Sequence, residues 1–162
     1  MMRGNRRLLP PILTIVGFLG CVYAAFFLGV KQDFPVPPGA EQRPVTVSQQ
    51  NTLIAGWPQV QSWQTAGVNL YQVREQPQAG AAFYTKAFHN QGWTDAPDPG
   101  QPKDAASQNY VTLAFSKNKQ QLIVALVPGT SLDNAVTPFT RVLKSIYTGL
   151  DNLAIIVSGT LR

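Results

Sequence analysis

One cysteine and one histidine in 162 residues remove several kinds of chemistry before any pattern is sought. The lone Cys21, itself inside an apolar run, excludes an intramolecular disulfide, a CxxC redox pair and a CxxCH haem attachment. The lone His89 leaves any His-based metal centre or Ser-His-Asp relay to be built around that residue alone. Its neighbours Phe88, Asn90 and Gln91 supply no partner, and a histidine near a helix C-terminus ordinarily faces solvent and the helix dipole. No glycine-rich phosphate loop precedes a helix. Asp95, Asp98 and Asp104 share a Gly- and Pro-rich loop, but their spacing is not that of an EF-hand, so they read as solvated loop residues. The sequence therefore predicts no catalytic, cofactor-binding or metal-binding residue, and no enzyme.

Charge is also scarce, at 13% of residues, and its net value of +5 is unevenly placed. Arg3, Arg6 and Arg7 come before the apolar run and the rest is nearly balanced, which is not the basic patch that nucleic acid requires. So little charge suits a surface covered by a partner, and equally one rich in Gln, Asn, Thr and Ser.

What is present begins with Leu8 to Val30, a run without a charged residue. About 23 residues at about 1.5 Å each can cross a hydrocarbon core of about 30 Å with some tilt. Pro10 and Pro11 fall in its first turn, where their missing N–H groups cost no helical hydrogen bond. The arginines precede it, while Lys31 on the far side is offset by Asp33, so the positive-inside rule places residues 1–7 in the cytoplasm. A cleaved secretory signal would be shorter and end in a small-x-small site. A lipoprotein signal is suggested by Gly20-Cys21, but the chain stays apolar from Val22 to Val30 where such a protein turns polar. An uncleaved helix in the bacterial inner membrane is the expectation, with the remainder outside the cytoplasm.

Gly17, Cys21, Ala25 and Gly29 recur every four residues of that run, with Gly20 and Ala24 beside them. Side chains this small let a second helix approach closely, and in lipid association depends on such contact. The row is expected to be a helix–helix interface with transmembrane subunits of a larger complex.

Residues 31–50 include the proline-rich DFPVPPGAEQRP and read as a semi-rigid linker, leaving 51–162 as an extracytoplasmic domain. Residues 45–67 carry Trp57 and Trp63 without a spacing that distinguishes helix from loop. Beyond them, Val68 to Val73 alternates with period two and predicts a strand. Pro77 opens a helix to about Gln91 with Ala82, Phe83, Ala87 and Phe88 inward, and Gly92 stops it. Asn109–Ser116 and Gln121–Val127 predict a hairpin about the polar turn Lys117–Gln120, its lysines guarding against edge aggregation. Val136, Phe139, Val142, Leu143, Ile146, Tyr147 and Leu150 follow helical steps up to Gly149, and Leu153–Val157 is a last apolar strand. This βαββαβ order predicts an α+β, ferredoxin-like domain, its antiparallel sheet carrying both helices on one face.

The segments GVNLYQV and AAFYTKAFHNQGWT resemble a module of small bacterial single-pass membrane proteins and lipoproteins. In that module a Tyr-bearing strand precedes a helix that contains Phe-Tyr and ends in Gly-Trp. The matching positions are Tyr71, Phe83, Tyr84, Gly92 and Trp93, and the likeness extends over roughly residues 51–127. These are packing residues, so the resemblance implies a fold and transfers no catalytic residue. The expected function is a non-catalytic accessory subunit of a membrane complex. Bacterial electron-transfer complexes, alternative complex III among them, commonly carry such single-helix subunits, an association by analogy. The competing expectation is a free-standing, membrane-tethered ligand-binding or sensory domain.

Overall fold

The computed structural model describes residues 34–102, 110–133, 135–147, 149 and 151–161. The predicted membrane segment 8–30 lies outside them. No helix among the described residues is long and apolar enough to cross a membrane. One compact unit spans Pro35–Arg162.

Its elements in chain order are β1 (Glu41–Arg43), α1 (Val47–Ala55), a 3₁₀ turn (Pro58–Ser62), β2 (Trp63–Val73), α2 (Pro77–Asn90) and β3 (Thr94–Asp95). There follow β4 (Val111–Lys117), β5 (Gln120–Val127), a second 3₁₀ turn (Gly129–Leu132), α3 (Pro138–Ile146) and β6 (Asn152–Leu161). The six strands form one sheet in the order β1-β2-β6-β5-β4-β3, with every neighbouring pair antiparallel.

This arrangement corrects the ferredoxin-like expectation. A split βαβ plan puts its last strand at an edge and both helices on one face. Here β6 instead lies between β2 and β5, with Val157 opposite both Val68 and Ile123 and Ile155 opposite both Leu70 and Ala125. The physical reason is the uninterrupted apolar run Leu153-Ala154-Ile155-Ile156-Val157, each residue 0% exposed. A strand without alternation has no face to give to water and belongs at the centre of a sheet covered on both sides.

Both faces are covered because the helices divide between them, α1 and α3 on one and α2 on the other. Val68, Leu70, Ile123, Ala125, Val127, Leu153, Ile155 and Val157 point to one face, where they share a core with Leu53, Trp57, Phe139 and Leu143 of the α1 and α3 layer. Successive strand residues alternate between faces, so Phe115, Leu122, Val124 and Leu126 point to the other. There α2 lies close: a Cβ added to Gly80 would stand 3.2 Å from Leu126 Cδ1, and the Phe88 and Phe115 ring centroids are 5.0 Å apart.

Local chemistry fixes each helix. Thr46 and Gln49 cap α1 reciprocally, with Gln49 N donating to Thr46 Oγ1 and Thr46 N donating to Gln49 Oε1 at 2.9 Å. The helix ends at Gly56, where a side chain would run into the Phe139 ring. Thr137 and Thr140 form the same reciprocal box at the start of α3, with Pro138 in its first turn. This helix starts at Pro138 rather than Val136 and stops at Ile146, because Tyr147 turns extended with ψ at 130°. The buried residues of α2 are Pro77, Gly80, Tyr84 and Phe88, so of the expected Ala82, Phe83, Ala87 and Phe88 only Phe88 lies among them. Gly92, with φ at +79°, reverses the chain, and Trp93 N then donates to Phe88 O at 3.0 Å. Asn118, with φ at 56°, makes the hairpin turn between the paired Lys117 and Gln120.

Glu41–Arg43, inside the stretch read as a linker, pair with Gln72–Leu70 and so belong to the sheet. Pro44 then ends β1, having no N–H to continue the ladder.

Candidate functional site

The groups that chemistry could use are dispersed. His89 Nε2 lies 2.8 Å from Asp95 Oδ1, joining the end of α2 to β3. With side-chain exposures of 43% and 70%, this is a surface pair, worth at most about 1 kcal/mol. Asp95 opposes Phe115, whereas Thr94 opposes Ser116, and strand alternation sends the Thr94 and Ser116 hydroxyls, 3.2 Å apart, to the other face.

Asp98 works as a turn acceptor, its Oδ1 taking hydrogen bonds from Gly100 N at 2.9 Å and Thr112 Oγ1 at 3.4 Å. Asp104 lies outside the described residues. No three His, Cys, Asp or Glu side chains converge on one point among the described residues. Gly17, Cys21, Ala25 and Gly29, the predicted helix–helix interface, also lie outside them.

Three buried side-chain atoms find no hydrogen-bond partner among the described residues: Trp57 Nε1, Glu75 Oε2 and the Tyr84 hydroxyl. Burial is the main cause that pushes the Tyr84 phenol above its ordinary value, with Tyr71 and Glu75 adding to it. Burial raises Tyr110 as well. Neither hydroxyl is poised to give up its proton near neutrality.

A concave feature of the surface lies elsewhere, along α1. An open groove of about 670 Å³ is bounded by Val47, Asn51, Ala55 and Gly56 of α1 and its end, and by Pro138 and Phe139 at the start of α3. Ser48 and Thr52 line it too, the Thr52 hydroxyl donating to Ser48 O at 3.1 Å. Val47 at its rim is 74% exposed, and Val136, next to Thr137 and Pro138, is 71% exposed. No lining residue is charged. The sequence holds a signal for this surface: no Asp, Glu, Lys or Arg occurs from Pro44 to Val73, the segment that builds α1, the first 3₁₀ turn and β2. The Thr46-x-x-Gln49 capping signature marks a helix start there as well.

No family model, no curated protein and no solved structure matches this chain.

Proposed function

We propose that this chain is a non-catalytic accessory subunit of a bacterial inner-membrane complex. The apolar segment Leu8–Val30 holds it in the bilayer with residues 1–7 in the cytoplasm, and the folded unit engages partners outside. The observation that carries this reading is the row Gly17, Cys21, Ala25 and Gly29 within an uncharged run of membrane-spanning length. The chemistry of the folded unit agrees with a role in contact: the groove along α1 is wide open, neutral and rimmed by valine. Small-molecule sites bury most of their ligand, and a groove this open suits a macromolecular surface better. Electron-transfer complexes of bacteria are the nearest analogy for the assembly.

Co-purification from native membranes in mild detergent tests the reading. Gly17→Ile and Gly29→Ile fill the space that a second helix needs, so each should release the protein from its complex while membrane insertion persists. Thr14→Ile, of similar bulk off the row, should leave the complex intact. Full retention of partners by both glycine variants would overturn the proposal.

A further inference from the structure

No further inference is drawn: the strongest candidate, the edge of β2 from Trp63 to Asn69 that the short β1 leaves without a neighbouring strand among the described residues, carries nothing because nothing in the structure shows what covers it.

Discussion

Arg43 gives two hydrogen bonds to a single atom of Gln72: Nε at 3.0 Å and Nη2 at 2.7 Å both reach Oε1. The same carboxamide donates through Nε2 to Asp151 Oδ2 at 3.2 Å, so one buried glutamine links β1 and β2 to the approach of β6. Gln72→Leu keeps the volume but leaves a guanidinium and a carboxylate short of a partner. Urea unfolding should register a loss of about 1–3 kcal/mol. An unchanged midpoint would mean that Glu41, 3.1 Å from Arg43 Nη2, carries the contact alone.

Trp93 is 5% exposed and its ring meets that of Phe88 edge-on at 5.9 Å. Trp93→Ala should cost roughly 3–5 kcal/mol, the scale for removing a large buried aromatic. A loss below about 1 kcal/mol in the same urea titration would show that the ring is not part of the core.

Gly129 is required for space. A Cβ at that position would meet the Tyr147 hydroxyl and the Asp151 carbonyl oxygen. Gly129→Ala should therefore destabilise by about 3 kcal/mol or prevent folding, as overpacking against fixed backbone does. Tyr147→Phe in the same chain should not restore it, since the backbone carbonyl stays. Thermal melts of the single and double variants decide the point, and a wild-type melt for Gly129→Ala would refute it.

The Tyr84 phenol gives a pH prediction with a definite sign. Its folded-state value is raised by burial, then by Tyr71 and Glu75, whereas in the unfolded chain it titrates near about 10. Between the two values the native state keeps a proton that the unfolded state has released. This contribution to stability is whole below pH about 10 and is lost as pH rises through the folded value. Urea midpoints should fall above pH about 10, and Tyr84→Phe should make the fall shallower, with Tyr110 and Tyr147, both also raised by burial, contributing to what remains. At neutral pH the same variant should be neutral or stabilising, because the hydroxyl it removes is buried without a partner among the described residues. A marked loss at pH 7 would count against this account.

Much of the chain's local structure is legible because its punctuation is strong. Pro77 and Gly92 bracket α2, and Lys117–Gln120 closes the hairpin, as the sequence predicts. Strand order is not legible from element order alone, because order along the chain does not say which strand is central. The unbroken run Leu153–Val157 carries that information, since an edge strand with one wet face would alternate. The inward stripe of α2 holds Phe88 as expected but runs through Tyr84 rather than Phe83, because Tyr84, a residue with a polar tip, is buried where Phe83 is the more apolar candidate. Gly80 reveals the true stripe: its missing side chain marks where the helix comes closest to Leu126. The groove along α1 is hidden for a different reason. Sequence motifs register what residues carry, and this surface is defined by charges that are missing from Pro44 to Val73.

The position of β6 also sets a timetable. Of the six strands it comes last in chain order, yet it joins β2 on one side to β5 on the other. Until residues 152–161 arrive, the sheet exists only as two separate halves, each with an apolar edge waiting for its neighbour. The sheet therefore cannot close before residues 152–161 have been made, and the pairings of β6 with β2 and β5 join segments far apart in the chain, which makes for slow assembly and exposure to aggregation. Removing the final strand would leave both halves without their common edge, so a shortened chain should behave as an aggregating polypeptide rather than as a weakened domain.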